Sequence, residues 1–365
     1  MYKVTFILFF LYMTETRLHH FDILKGLAIF MVIMGHVLTM CIRDIDSAVL
    51  FKFVEKIHMP IFFFISGYFT YKILENGKLA LPKMGVRVKQ LLMPFFVMST
   101  LWIYYFPHSG LQSPFVFTWE GLYTSVGKNG YWFTLCLFEI ILIYSVMVPL
   151  LSRFKSLLGR VIVILLSWLL IGGLIKYVLP VDASNIVGLP LVFEFYPIFM
   201  FGVLAHSVRE NFDKITASST WITISLIIGA FLMYYVCWSW EFSFPEEVLN
   251  VAKQLLYMCV VIVAIAVVKS WCAQSYTDKR PNGSTMTRMW EYVGSQSLAI
   301  YVLHYFFLFP MAICREPLQS MNLNLVPTLI VAAFVASVVM AVVLGVNYII
   351  GHSKLLALLM TGKVK

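Results

Sequence analysis

The sequence predicts an all-α integral membrane protein, a bundle of about ten transmembrane helices with both termini cytoplasmic. Three observations carry that expectation. Of 365 residues, 61% are hydrophobic and 12% charged, against roughly 45–50% and about 25% in a soluble domain, so too little polar residue exists to cover a surface facing water. The apolar residues gather in runs of about 20, the length a helix needs to cross about 30 Å of hydrocarbon. Within the runs apolar and polar residues do not alternate, which excludes the strands of an outer-membrane barrel.

In chain order the runs are 21–41, 57–74, 90–107, 131–151, 159–179, 187–206, 220–240, 250–269, 293–313 and 325–350. Glu139 interrupts the fourth and Glu194 the sixth. The opening segment MYKVTFILFFLYMT is too short to cross and lacks the small-residue cleavage site of a signal peptide. Residues 1–20 are therefore expected to be a short leader; one hypothesis starts translation at Met13, which would leave a short polar leader before His19 and His20. Residues 21–350 make one ten-span domain, since no Pro-, Gly- or Ser-rich linker divides them, and 351–365 form a basic tail.

Charge sets the orientation, because Lys and Arg stay in short cytoplasmic loops. Of the 27 Lys and Arg, 19 fall on the side that holds both termini, the segment 72–89 and the segment 153–160; six fall on the other side, and Lys25 and Lys253 lie within runs. Topology thus accounts for the net charge of +9. No basic run carries the interleaved aromatics of a nucleic-acid site, so no nucleic-acid partner is expected. The six cysteines show no CxxC and no zinc-spaced Cys/His pair; they are expected to be free buried thiols, with no metal site.

Ionisable side chains inside a bilayer cost several kcal/mol unless paired or hydrated, so each is a functional candidate. In the first run, Lys25 and His36 are eleven residues apart, which puts them within about 20° on the helix and roughly 16 Å apart along it. Asp22, three residues before Lys25, can pair with it. The bland alternative has Lys25 snorkelling at the interface and His36 as a neutral core histidine. His58 begins the second run on the side where the first ends, which allows the two imidazoles to approach. In the same run, Gly67 permits close helix approach. Arg87 and Lys89 stand at the entry to the third run, where cations can hold the phosphates of a cytosolic donor or simply anchor the span. Ser297, Tyr301 and His304 make a polar stripe on the ninth run, which must face protein or water and not lipid, and which interhelical hydrogen bonding alone can explain. Glu139 or Glu194 can orient an imidazole by accepting its N–H.

These residues resemble the membrane-bound acyltransferase 3 family, within it the sugar O-acetylases similar to fucose 4-O-acetylase. FDILKGLAIFMVIMGH matches the family's opening, with Lys25 followed by His36; HMPIFFFISGYF, from His58 to Phe69, matches its second motif. Arg87 and Pro94, the aromatic Tyr131-Trp132-Phe133, and GSQSLAIYVLHYFF from Gly294 follow in the family's order. Many members carry Arg where Lys25 stands, and Lys keeps the charge without the bidentate fork.

The resemblance implies a multi-pass protein of a bacterial inner membrane that moves an acyl group, most simply acetyl, from acyl-CoA to a hydroxyl of a cell-surface glycan or lipid-linked sugar. It implies no bound cofactor, with acetyl-CoA as co-substrate. Lys25 and Arg87 would bind the donor, and His36, oriented by Glu139 or Glu194, would be the general base or an acyl relay. His58, Tyr301 and His304 would meet acceptor or transition state. The competing expectation is a transporter or exporter in which His36, Glu139 and Glu194 relay protons.

Overall fold

A computed structural model describes residues 18–42, 45–74, 78–108, 118–237, 245–276, 283–308 and 324–362. Met13, the rest of the leader and Cys314 lie outside the described residues. The regular structure among the described residues is helical, joined by turns and short irregular segments, with an isolated bridge between Ile73 and Leu79. Among the described residues, eight helices are long and apolar enough to cross a bilayer: α1 from His19, whose regular part His19–Val37 runs into a wide turn Leu38–Ile42; α3 Met84–Tyr105; α4 Trp132–Arg153; α5 Leu157–Val178; α6 Leu189–Ser207; α7 Ser219–Cys237; α8 Glu246–Ser275; and α12 Leu325–Ile350.

Two of the ten expected spans take a different form. The second is α2, Ile45–Thr70, which begins well before residue 57 and carries Lys52, Glu55 and Lys56 in the added turns. Those charges are exposed or half-buried at the start of the helix, while Met59 to Ile65 are buried among α1, α6, α8 and α12, so that part needs no apolar face toward lipid. The ninth is broken into α9 Thr285–Ser295, α10 Ser297–Leu303 and α11 Tyr305–Leu308. The first break falls at Gln296, in the run Gly294-Ser295-Gln296-Ser297, where Gly and Ser hold a helix weakly. Gln296 then uses its side-chain oxygen to accept from Asn347 of α12 at 2.9 Å. A last short helix, α13 Lys354–Thr361, follows α12 and packs on α3 and α10.

The interior is α1 and α2. Along α1, Ile23, Ala28, Ile29, Ile33 and Val37 are fully buried. Phe63 of α2 stacks on Phe195 of α6 with ring centroids 4.5 Å apart, and Trp132 of α4 stacks on both, 5.4 Å from Phe195 and 6.3 Å from Phe63. Backbones meet where α2 crosses α6: a Cβ on Gly67 would overlap the carbonyl of Phe199, and one on Gly202 would overlap the carbonyl of Phe64. The close approach expected of Gly67 is thus reciprocal.

The rim is α5, α7 and α12, which leave Leu165, Leu166, Leu169, Ile227, Phe231, Ile330 and Phe334 exposed. Water would not tolerate that much contiguous apolar surface, whereas acyl chains solvate it. Cys41 is buried and donates from Sγ to the carbonyl of Leu308 at 3.7 Å; Cys136 and Cys237 are free and buried, and Cys259 and Cys272 free and half-buried.

Candidate active site

A cavity of about 550 Å³ runs along α1 between α2, α3, α4 and α10. Its mouth is polar, with Lys25, Arg87, Gln90 and the broken segment Ser295-Gln296-Ser297. Deeper in, Ile29, Val32, Met59, Phe62, Phe133 and Leu137 make apolar walls, and Tyr301 lies among them. The predicted one-face relation of Lys25 and His36 explains the direction: Lys25, Ile29 and Val32 line the cavity, and His36 is one helical turn beyond Val32.

The two mouth cations differ. Lys25 Nζ is 2.7 Å from Asp22 Oδ1, the pair expected three residues apart. Arg87 donates to the neutral Gln90 Oε1 at 3.2 Å and meets no carboxylate among the described residues, which leaves its charge available to an anion. It is held on a wide turn, Val88–Leu92, that precedes Pro94. Having no N–H, Pro94 cannot bond the carbonyl of Gln90 in helical register, and the helix widens there. Lys89 is exposed and does not line the cavity.

Around His36, three rings crowd together. Its Nε2 is 3.0 Å from the Tyr305 hydroxyl, and its ring stacks on His304 with centroids 5.2 Å apart. Tyr305 and His304 are themselves 4.3 Å apart between centroids. His304 is fully buried; its Nδ1–H donates to the carbonyl of Tyr301 at 2.6 Å, and its Nε2 has no partner among the described residues. His58 is also buried and donates from Nδ1 to the carbonyl of Val54 at 2.6 Å. Both histidines thus spend Nδ1–H on their own helix. His36 does not: it is half-buried, and among the described residues its Nδ1 makes no hydrogen bond.

Other candidates stand elsewhere. Tyr301 accepts from the N–H of Phe133 at 3.2 Å and donates to the carbonyl of Gly130 at 2.8 Å. Its single proton is given to that backbone carbonyl, so it ties α10 to the start of α4. Among the described residues, neither Glu139 nor Glu194 hydrogen-bonds His36. Glu194 accepts from Tyr257 of α8 at 2.6 Å, and its own carbonyl accepts from Gln254 at 2.8 Å. Glu139 points at the amino end of α6, where its Oε2 is buried beside Gly188 without a hydrogen bond. His58 makes none to His36 either.

Matching the geometry, residues 18–346 fit the family model for the acyltransferase 3 proteins, described as an acyltransferase domain. This chain belongs to the acyltransferase 3 family. No curated protein and no solved structure matches it. The protein is therefore a multi-pass membrane acyltransferase.

Two features of this acyltransferase site escape the motif reading. One is Tyr305, adjacent to His304 in the quoted ninth-run motif. The other is the segment Lys128-Asn129-Gly130, which holds positive φ at three successive residues, 45°, 52° and 89°. The Asn-Gly pair is a turn signal in the sequence. Its partner across the fold is not, since the Gly130 carbonyl lies 3.4 Å from the Tyr305 hydroxyl, 175 residues away. Lys128 anchors the turn by donating to the carbonyls of Tyr123 at 2.9 Å and Asn185 at 2.6 Å. Burial pushes its ammonium below the usual lysine range, with Glu139 pulling the other way.

Proposed function

We propose that this acyltransferase transfers an acetyl group from cytosolic acetyl-CoA to a hydroxyl of a cell-surface glycan or lipid-linked sugar, as the sugar O-acetylases similar to fucose 4-O-acetylase do. The observation that carries the reading is the cavity, with Arg87 and Lys25 at its mouth, and with His36 one turn beyond its apolar walls on α1. The basic excess at the mouth end orients it to the cytosol. Phosphates of the donor then rest on Arg87 and Lys25 while the pantetheine arm lies along the apolar walls. An extended arm matches the ~16 Å of helix rise from Lys25 to His36.

In this reading, the Tyr305 hydroxyl donates to the Gly130 carbonyl and accepts Nε2–H of His36. That leaves Nδ1, untied to the helix, as general base. Nδ1 takes the proton of the acceptor hydroxyl as its oxygen attacks the thioester carbon. The C–S bond then breaks, and the proton passes to the leaving thiolate, giving the ester and free CoA. The Nε2–H of His304 is not available to the oxyanion, because Nδ1 carries that ring's proton; His304 fixes the His36 ring by stacking. Glu139 and Glu194 are proposed as helix-packing residues.

The test is label transfer from radiolabelled acetyl-CoA by purified protein in nanodiscs, with a panel of sugars and polyprenyl-linked sugars. Acceptor-dependent transfer that disappears in His36→Ala, with CoA binding kept, is the expected result. Normal transfer by that variant removes His36 from the chemistry. Failure of the wild type to bind or consume acetyl-CoA removes the donor assignment and brings the transport alternative forward.

A further inference from the structure

The helix α13 lies outside residues 18–346, the extent of the family match, yet Thr361 and Gly362 at its end line the cavity mouth beside Lys25 and Arg87. We infer that α13 completes the donor entrance and positions Arg87 through Gln90. The inference rests on the proposed role of Arg87 in holding donor phosphates.

Three contacts make the chain. First, α13 is a defined element. Ser353 caps it by accepting from the N–H of Leu356 at 3.3 Å. Ala357 and Thr361 are buried inward, while Leu355 and Leu356 are exposed on the other face. Second, the helix ends on Gly362 at φ +65°, a left-handed conformation that stops an α-helix and favours glycine. This carries Gly362 against the backbone of Gln90: a Cβ there would overlap the Gln90 carbonyl and stand 2.9 Å from its Cα. Third, the side chain of Gln90 accepts from Arg87 at 3.2 Å. Gly362 thus presses on Gln90, whose side chain accepts from the guanidinium, on the wide turn that Pro94 leaves without a helical bond.

Backbone does not yield as a side-chain tip does, and the left-handed conformation is costly for any residue with a Cβ. Substituting Gly362 therefore pushes Gln90, and with it Arg87, away from the mouth. The same path runs in reverse: a ligand phosphate that fixes Arg87 also fixes Gln90 and seats α13. Gly362 and Gln90 are positioning residues for the donor and touch none of the reacting atoms of the acyl transfer.

Equilibrium binding of coenzyme A to the full chain in nanodiscs tests this. Gly362→Ala and Gln90→Ala should each weaken CoA binding about tenfold, the scale of one charge-assisted hydrogen bond. Gly345→Ala, at a glycine of α12 with open space around it, should bind as wild type. The decisive variant is Gly362→Ala combined with Arg87→Ala, which should bind no more weakly than Arg87→Ala alone, since both act through one guanidinium. Additive losses, or wild-type binding by Gly362→Ala and Gln90→Ala together, would overturn the inference. Wild-type CoA binding by Arg87→Ala would overturn the donor reading beneath it, a different failure. Gln90→Ala keeps the test valid should Gly362→Ala misfold, because it removes the link without disturbing the left-handed turn.

Discussion

Tyr305 holds its hydroxyl 3.0 Å from Nε2 of His36 and 3.4 Å from the carbonyl of Gly130. A backbone carbonyl thereby stands where many catalytic histidines have a carboxylate behind them. The tyrosine is the intermediary, since it can receive from the imidazole and give to the carbonyl at once.

Tyr305→Phe keeps the ring packing and removes that link. We expect kcat to fall roughly 10- to 100-fold while KM for acetyl-CoA stays near wild type. Steady-state kinetics with a fixed acceptor separates the two. A change confined to KM would place Tyr305 in donor binding.

Gly130→Ala acts on the same link from the other side. Its φ of 89° is unfavourable for alanine, and the added methyl would meet the Tyr305 hydroxyl. Both activity and thermal stability should drop. Thermal unfolding in detergent beside the transfer assay checks this, and the double variant with Tyr305→Phe should recover little of the stability, because the ring carbon Cζ would still stand 2.6 Å from the added methyl.

Glu194→Gln should leave transfer within about twofold of wild type, because glutamine still offers an oxygen to Tyr257. The same assay measures it. A loss comparable to that of His36→Ala would return Glu194 to the chemistry.

The site was only partly legible in the sequence. Lys25, Arg87 and Phe133 line one cavity, and His36 follows Lys25 on the same face of α1, one turn beyond that cavity, because helical periodicity fixes faces within one helix, and periodicity is readable. Which carboxylate meets which imidazole depends on how helices rotate against one another, and sequence alone does not set that. Glu194 turned toward Tyr257, and Glu139 toward Gly188. Spans were read well where helices face lipid, as in α5 and α12. They were read poorly at the start of α2, because its charged turns, exposed or half-buried ahead of the walled-in part, escape the apolar requirement that the reading relies on. The broken ninth span shows the other limit: its overall hydropathy hides a run of weak helix formers at Gly294 to Ser297.

Gly67→Leu should destabilise the fold by about 3 kcal/mol or more, through overpacking against backbone that has no rotamer to give. Thermal unfolding of the purified variant checks it. Unchanged stability would mean that the α2–α6 contact is not as close as the Phe199 carbonyl implies.

That contact also divides the labour of motion. With Gly67 seated on α6 and Gly202 seated on α2, the two helices are geared together and form the stationary half of the molecule. Across the cavity α3 carries its widened turn, whereas α9 is locked to α1 in the same way as α2 to α6, since a Cβ on Gly294 would overlap the carbonyl of Asp22 and one on Gly26 that of Trp290. Entry of a bulky thioester should therefore be met by an opening hinged on one side, like a door on a fixed post, with Arg87 carried on the leaf that swings.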